Sequence, residues 1–284
     1  MDPPRPATAQ AGEGAHPELV LRIVSAAVLA PLAVGIAWLG GWTFFAFWIL
    51  AACRILWEWR KIIADRAAAH IGLGECAIGA AGVAAMVGFG GVAALIVLYG
   101  AVVEWLAART RRGRFWVAAG IVYAGALPIA CILLRADPRY GLVAMLLLFA
   151  ITWATDICAY FVGRLVGGPK LWRRISPNKT WSGAIAGACG AVVAALAVAH
   201  AAGIANSLAA SGLALLLSVA SQAGDLFESA FKRRFGVKDA SHVIPGHGGV
   251  MDRLDGFLAA AVLAAMIGVA RGGMDAPARG LLLW

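Results

Sequence analysis

The residues best suited to chemistry lie between Ser221 and Gly256. This stretch carries five of the 15 acidic residues of the chain, a Lys/Arg run and two of its 5 histidines. The rest of the sequence is dominated by small and apolar residues, which have no need of such charge for packing. We therefore expect the stretch to handle an anionic substrate with the help of a metal ion.

Within this stretch, four polar residues at positions i, i+3, i+4 and i+7 predict one stripe of a helix that leaves the membrane. They are Asp225, Glu228, Ser229 and Lys232. A loop follows that ends in Pro245-Gly246-His247-Gly248-Gly249. Consecutive glycines allow backbone N–H groups to approach an anion closely, because no Cβ intervenes.

Asp252 and Asp255 then open the next predicted helix. Carboxylates at the start of a helix are stabilised by its dipole, so a capping role is the ordinary explanation for one of them, and we assign it to Asp255. Asp225 and Asp252 flank a basic, glycine-rich loop. The most economical interpretation is that these two carboxylates hold a divalent cation.

A second polar cluster runs from Asp156 to Gly183. Asp156, Tyr160 and Arg164 are spaced by four, so a helix places them on one face. An acid inside a membrane costs about 2.5–3.5 kcal/mol on insertion scales, which makes Asp156 a functional candidate. The alternative is a pair with Arg164 that only holds helices together. Residues 167–169 break the helix, and residues 176–180 predict a turn that leads into the next span.

Composition defines the class of protein that must position these residues. Hydrophobic residues make up 62% of the chain, charged residues 14%, and the mean hydropathy is +0.82. Soluble domains contain about 45–50% apolar and about 25% charged residues. We predict an all-α, polytopic integral membrane protein. The five cysteines form no CxxC pair, so they indicate neither a zinc site nor a disulfide framework.

A bilayer core of about 30 Å takes roughly 20 apolar residues as helix. This length predicts nine spans, with eight as the alternative because the third and fourth share one apolar run that is divided only at residues 88–91. The spans are expected at about 20–40, 43–60, 73–89, 91–108, 115–134, 140–163, 182–204, 207–226 and 254–271.

Positive charge supports nine spans and orients them. If every span crosses, all but four of the 24 Lys and Arg residues fall on the side of the N-terminus, and those four are Arg135, Arg139, Arg271 and Arg279. Cytoplasmic loops are enriched in Lys and Arg, so we expect a cytoplasmic N-terminus and an external C-terminus. Both polar clusters then face the cytoplasm.

The predicted organisation is a disordered tail over residues 1–17, transmembrane helices over 18–135, and a transmembrane catalytic region over 136–284. Loops 164–181 and 227–253 of that region lie at the cytoplasmic face. Gly183 and Gly187, with Gly190 close by, form a small-residue face that serves either internal packing or a homodimer contact.

Four segments resemble the phosphatidate cytidylyltransferase (CDP-diacylglycerol synthase) family. The longest, SAFKRRFGVKDASHVIPGHGGVMDRLD over residues 229–255, is similar to that family's signature. The others are DICAYFVGR (156–164), SPNKTW (176–181) and GDLFES (224–229). Together they cover about residues 150–256. One departure is Ser182, where the family usually has Glu, and we leave it out of the site.

The resemblance implies that CTP and phosphatidate react to give CDP-diacylglycerol and pyrophosphate at the cytoplasmic face of a bacterial inner membrane, without nucleic acid. It implies Mg²⁺ on Asp225 and Asp252, and it is consistent with a second cation such as K⁺. Asp156 would hold either this second cation or the nucleotide. His247 would donate to a phosphate oxygen or transfer a proton. Lys232 would contact phosphates, and the remaining candidate substrate-binding residues are Tyr160, Ser176, Asn178, Lys179, Ser229, Arg233, Lys238, Gly248, Gly249 and Arg253.

Two other kinds of function compete with this interpretation. A transporter or channel also carries acids and broken helices within the membrane, but its charges would concentrate near the midplane. Another CTP-using membrane lipid enzyme, such as a polyprenol or phytol kinase or an ether-lipid CDP synthase, would use a similar site. The fate of the α- and γ-phosphates of CTP distinguishes these enzymes.

Overall fold

A computed structural model of the chain describes residues 15–63, 72–108, 111–241, 243 and 248–284, and within these the fold is almost entirely helical. The predicted all-α class is therefore confirmed. The elements are α1 Ala15–Leu39, α2 Gly41–Ile63, α3 Leu73–Met86, α4 Gly90–Ala107, α5 Arg111–Arg135, α6 Gly141–Leu165, β1 Lys170–Trp172, β2 Ser176–Thr180, α7 Trp181–Ala201, α8 Ser207–Arg234, α9 Met251–Gly272 and α10 Pro277–Leu282.

Each of the nine predicted spans corresponds to one helix, α1 to α9. The uncertain division is real, because α3 ends at Met86 and Gly88 turns the chain with a φ of +92° before α4 begins. Among the residues that the structure describes, six helices, α4 to α9, are long and apolar enough to cross a membrane, whereas α3 has only 14 residues. The chain is thus an integral membrane protein, and the count of nine spans stays a prediction.

Parts of the two predicted cytoplasmic-face loops have regular structure. Helix α8 extends past the predicted membrane span 207–226 to Arg234, as the predicted stripe on a helix that leaves the membrane requires, so residues 227–234 of the predicted loop 227–253 are helical. The whole charged stripe is therefore helical. In the predicted loop 164–181, α6 continues to Leu165, and residues 176–180 form strand β2 instead of a turn. Strand β2 pairs antiparallel with β1, and the Thr180 hydroxyl then accepts the Gly183 N–H to start α7.

Of the predicted tail 1–17, residues 1–14 lie outside the described residues, and α1 begins at Ala15. His247 also lies outside the described residues.

Helix α5 is central in the bundle, where it packs against α2, α3, α4, α6 and α9. The core around it consists of Ala, Leu and Ile side chains with a few aromatic rings, such as Trp48 stacked on Phe257 at 5.2 Å. Helices α8 and α9 are neighbours, as the proposed sharing of a site between the eighth and ninth spans requires.

The glycine face of α7 serves internal packing. A methyl group on Gly183 would lie 2.7 Å from the carbonyl oxygen of Ala159, and one on Gly187 would lie 2.8 Å from that of Thr155. Both contacts are far inside van der Waals distance, so the glycines allow α7 to lie directly against α6. This observation decides between the two roles left open by the sequence and leaves the homodimer a prediction.

The four cations assigned to the C-terminal side of the membrane lie at one end of the bundle. Arg135 donates to the Ala37 carbonyl at 2.7 Å, and Arg279 forms an ion pair with Asp137 at 2.8 Å. Burial alone would raise the pKa of Asp137, but the backbone N–H groups of Tyr140 and Arg139 and the Arg279 guanidinium hold this pKa below its usual value. This end is separate from the two polar clusters.

Candidate functional site

The stripe on α8 meets the first two turns of α9 at the opposite end of the bundle. A methyl group on Gly224 would lie 2.6 Å from the Asp255 carbonyl oxygen, and one on Gly256 would lie 2.6 Å from Ser221 Oγ. The two helices therefore touch backbone to backbone at this level. Acidic side chains placed next to the two glycines are brought face to face.

The first group of charges centres on Asp225. Its carboxylate forms an ion pair with Lys179 of β2, and Ser229 donates to it at 3.4 Å from one turn further along α8. The side chains of Asp225 and Lys179 are 34% and 29% exposed, so both are open to a ligand. Asp156 of α6 and Asp255 of α9 both interact electrostatically with Asp225. Charged side chains from α6, α8, α9 and β2 thus lie together around the partly exposed carboxylate of Asp225.

The second group centres on Lys232, one turn beyond Glu228 on α8. The Lys232 ammonium contacts Glu228 at 2.7 Å and Asp252 at 2.5 Å. The three side chains are 12%, 2% and 8% exposed, so this array is much drier than the first. A cation that bridges two buried carboxylates is held firmly and has a fixed direction.

Asp252 also accepts backbone N–H groups, from Gly249 at 2.7 Å and from Ala240 at 3.0 Å. The predicted capping role for Asp255 is therefore wrong, because α9 begins at Met251 and the acid of its first turn is Asp252. Asp255 lies in the second turn, where backbone N–H groups already have helical partners. The N–H of Gly249, which we expected to face a substrate anion, faces this protein carboxylate.

The two groups lie next to each other across the same pair of helices, and we call the whole array of charged side chains the charged ladder. Asp225 and Asp255 make one rung, and Glu228, Lys232 and Asp252 make the next. The predicted partners Asp225 and Asp252 therefore lie on facing helices at the same end of the bundle, each engaged by its own lysine.

An aromatic cluster packs against α8, the helix that carries Asp225, Glu228 and Lys232. The Trp59 ring of α2 stacks on Phe231 of α8 at 3.8 Å between ring centroids, and Tyr123 of α5 lies 5.2 Å from Trp59. The Trp59 indole N–H donates to the Trp116 carbonyl at 2.8 Å. These contacts hold α8 against α2 and α5, so the charged stripe has a rigid base.

Sequence reasoning missed two carboxylates of this region. Glu228 was placed on the stripe but outside the site, and the structure puts it in direct contact with Lys232. Glu58 lies in α2, far away in sequence, and is fully buried against the start of α9. The only sequence signal for Glu58 was an acid within an apolar helix.

Most of the other candidates surround the ladder. Arg253 interacts electrostatically with Asp156, whereas Arg164 donates to the Tyr160 hydroxyl at 3.0 Å. The alternative interpretation of Asp156 required an ion pair between Asp156 and Arg164. In the structure, Arg164 binds Tyr160 instead. The Ser182 hydroxyl contacts Thr180 and donates to the Gly167 carbonyl, so it ties the loop between α6 and β1 to the start of α7. Four further candidates lie in β2 or just after the stripe, and they are Ser176, Asn178, Arg233 and Lys238.

Acidic groups outnumber cations in the ladder, and this excess suits a metal ion. Five carboxylates face three cations, and one oxygen of Glu228 is buried without a hydrogen-bond partner. Within the described ranges, no three His, Cys, Asp or Glu side chains are grouped closely enough to hold a metal ion. Mg²⁺ commonly takes one or two carboxylates and completes its shell with phosphates and water, so the residues fit it. The five acids are Asp156, Asp225, Glu228, Asp252 and Asp255, and the three cations are Lys179, Lys232 and Arg253.

A membrane-embedded helical bundle with a charged ladder at one end is what the fold and site define. The sequence profile of the cytidylyltransferase family matches residues 20–270, so the chain belongs to that family. The match includes the first five predicted spans, which the four motifs did not cover.

Named relatives agree with this placement. The phosphatidate cytidylyltransferase of Brucella suis is 42% identical over 260 residues, which are 91% of this chain and 96% of that protein. The Brucella abortus protein of the same name is 42% identical over 251 residues, which are 88% of this chain and 93% of the relative. A Staphylococcus aureus phosphatidate cytidylyltransferase is 45% identical over 119 residues, or 42% of this chain and 46% of its own length. The predicted family is confirmed.

Proposed function

We propose that this protein is a phosphatidate cytidylyltransferase, which transfers CMP from CTP to phosphatidate and gives CDP-diacylglycerol and pyrophosphate. Membership of the cytidylyltransferase family and relatives of that name across 91% of the chain support the reaction. The structural observation that carries it is the charged ladder formed by α8, α9 and β2 at one end of an apolar bundle. A water-soluble nucleotide and a lipid phosphate can meet only at such a place.

The chemistry requires positioning more than proton transfer. The second pKa of a phosphate monoester is about 6, so the lipid phosphate oxygen is already an anionic nucleophile near neutral pH. This oxygen attacks the α-phosphorus of CTP, a new P–O bond forms, and the bond to pyrophosphate breaks. The barrier comes from bringing two anions together, and fixed positive charge lowers it.

The two lysines of the ladder are suited to this task in different ways. The Lys179 side chain is 29% exposed beside Asp225, where an incoming phosphate can compete for it. Lys232 is only 12% exposed and is held between Glu228 and Asp252, so the position of its charge is fixed in advance. Arg233, Lys238 and Arg253 are exposed near the same helix ends and would add contacts to phosphates.

We propose that Asp225 and Asp252 hold Mg²⁺, with Asp156 as a further ligand either of this ion or of a second cation such as K⁺. Bound Mg²⁺ would neutralise charge on the CTP phosphates and the leaving pyrophosphate. A test free of turnover is isothermal titration of CTP into the protein with and without Mg²⁺. We also place the site at the cytoplasmic face of a bacterial inner membrane, in line with the distribution of Lys and Arg.

The deciding experiment uses purified protein in lipid nanodiscs with phosphatidate and CTP labelled at either the α- or the γ-phosphate. Label from the α-phosphate should appear in CDP-diacylglycerol on thin-layer plates and should disappear with EDTA. Label from the γ-phosphate in a lipid would identify a kinase instead, and an active protein that prefers an ether-linked acceptor would identify a related synthase. No lipid product from any acceptor would refute the proposal.

A further inference from the structure

Glu58 is the most enclosed charged residue near the ladder. Its side chain is 0% exposed, although it belongs to α2 in the N-terminal half of the chain. Its carboxylate accepts the Ser241 hydroxyl at 2.6 Å, the Met251 N–H at 2.7 Å and the Val250 N–H at 3.1 Å. A buried carboxylate is tolerated only when its oxygens are satisfied in this way.

All three donors belong to the segment that leads into α9. Val250 is the N-cap of that helix and Met251 its first residue, so their N–H groups have no helical partner, and Ser241 lies shortly after the end of α8. The N-cap residue of α9, Val250, has no side chain that could accept these N–H groups. Glu58 of α2 accepts them instead. Arg54, one turn earlier on α2, lies 3.4 Å from the same carboxylate and balances its charge.

The two glycines before α9 pass between two carboxylates. A methyl group on Gly249 would lie 2.6 Å from a Glu58 oxygen, and one on Gly248 would lie 2.8 Å from an Asp252 oxygen. The Gly249 N–H donates to Asp252 at 2.7 Å. A displacement of this backbone at Glu58 would therefore move the donor that fixes Asp252, and with it the partner of Lys232.

We infer that Glu58 is a positioning residue for the proposed transfer reaction, which acts through the Gly248–Gly249 backbone on the Asp252–Lys232 pair. The inference rests on the proposed function for its effect on rate, but its effect on the backbone is independent of that function. Loss of hydrogen bonds to a charged acceptor is expected to reduce kcat about 10- to 100-fold. The KM for CTP should change less, because the exposed cations of the site are left in place.

The test compares Glu58→Gln with Glu104→Gln in full-length protein. Glu104 is a matched control, because it is 3% exposed and forms an ion pair with Arg60 at 2.5 Å in the same bundle, away from α9. For each variant we would measure kcat, the KM for CTP, the melting temperature, and hydrogen–deuterium exchange of peptides that cover residues 248–256. Ser241→Ala, which removes one donor and keeps the carboxylate, serves as the second variant.

The expected result is a lower kcat and faster exchange at residues 248–256 in Glu58→Gln, with a smaller change of the same kind in Ser241→Ala. Glu104→Gln should lose thermal stability but keep both the kcat and the exchange pattern of the wild type. The inference is overturned if Glu58→Gln and Glu104→Gln lose kcat in proportion to stability, or if exchange at 248–256 is unchanged. If Glu58→Gln does not fold, unchanged exchange and kcat in Ser241→Ala overturn it.

The same measurements separate this inference from the proposed function. If wild-type protein transfers no CMP, the proposed function fails, and the exchange data alone then decide whether Glu58 holds this backbone. If wild-type protein is active and Glu58→Gln is equally active, only the role of Glu58 fails.

Discussion

Replacement of Lys232 by methionine removes the cation that bridges Glu228 and Asp252 and keeps a side chain of similar length. Both carboxylates are nearly inaccessible, at 2% and 8% exposure, and Lys232 itself is 12% exposed. The substitution therefore leaves two like charges close together in a dry environment, without the ammonium that compensates them. We expect it to affect stability and catalysis by separate routes.

The stability effect follows from the loss of one partner of a buried ion pair, which costs about 3–5 kcal/mol. Asp252 retains the N–H groups of Ala240 and Gly249 as donors, so we expect the lower end, about 3 kcal/mol. Domains of roughly 150–250 residues lose about 2–4 °C of melting temperature per kcal/mol, so for this chain of 284 residues the melting temperature should fall by at most about 6–12 °C. The catalytic effect should be larger, because the loss of one preorganised donor to a transition state lowers kcat by about 10²–10³.

The assay combines nanodisc turnover of α-labelled CTP with the melting temperature of the same preparation. Arg234→Met is the control, because Arg234 is an exposed cation next to the stripe whose guanidinium lies over the Trp116 ring at 5.5 Å. The double variant Lys232→Met with Glu228→Gln removes the charge left behind by the lysine. It should recover most of the melting temperature but none of the activity.

Three results would contradict this reasoning, each at a different step. Wild-type kcat and KM in Lys232→Met would remove Lys232 from the catalytic machinery. An unchanged melting temperature would show that the array contributes little to stability. A double variant no more stable than the single one would show that uncompensated charge is not the source of the loss.

Three further changes test other parts of the structure. Asp225→Asn should abolish transfer with a nearly unchanged melting temperature, because this side chain is one-third exposed; turnover at the wild-type rate would contradict its role as a metal ligand. Gly256→Ala should lower the melting temperature by an amount equivalent to about 1–3 kcal/mol, because its methyl group collides with α8, whereas Gly212→Ala, with nothing within 4 Å, should not; equal effects would refute the close crossing. The pKa of Asp137 is lowered in the folded state, so its charge stabilises the protein above the usual carboxyl pKa of about 3.9, and this contribution is lost as pH falls through the lowered value. Asp137→Asn should therefore flatten the loss of stability in acid that the pair with Arg279 produces, and parallel acid profiles for variant and wild type would contradict this.

The two halves of the chain are more closely connected than their compositions indicate. The acids and bases of the ladder come from the C-terminal half, but their support comes from α2 and α5. Trp59 packs against Phe231 of α8, and the adjacent residue Glu58 accepts the backbone N–H of Met251 at the start of α9. The N-terminal helices are therefore part of the site's architecture as well as of its membrane anchor.

The sequence alone determined the class of protein, the positions of the helices and the side chains that carry charge. Hydropathy is a local property with a fixed length requirement, so it located nine helices and the division at Gly88. The spacing of Asp225, Glu228 and Lys232 predicted one helical stripe, because the helical period is the same in any context. The hydropathy rule placed the end of the eighth membrane span at 226, and the stripe correctly extended the helix beyond it into the polar residues that end at Arg234.

Only the tertiary structure decided which charges meet. Pairings such as Lys179 with Asp225, or Glu58 with Met251, join residues far apart in the chain, and no local pattern encodes a distance between separate helices. The same holds for the glycine face of α7, which allows close packing with any partner until α6 is seen against it. Charge type and period belong to the residues themselves, whereas contact depends on how the whole bundle closes.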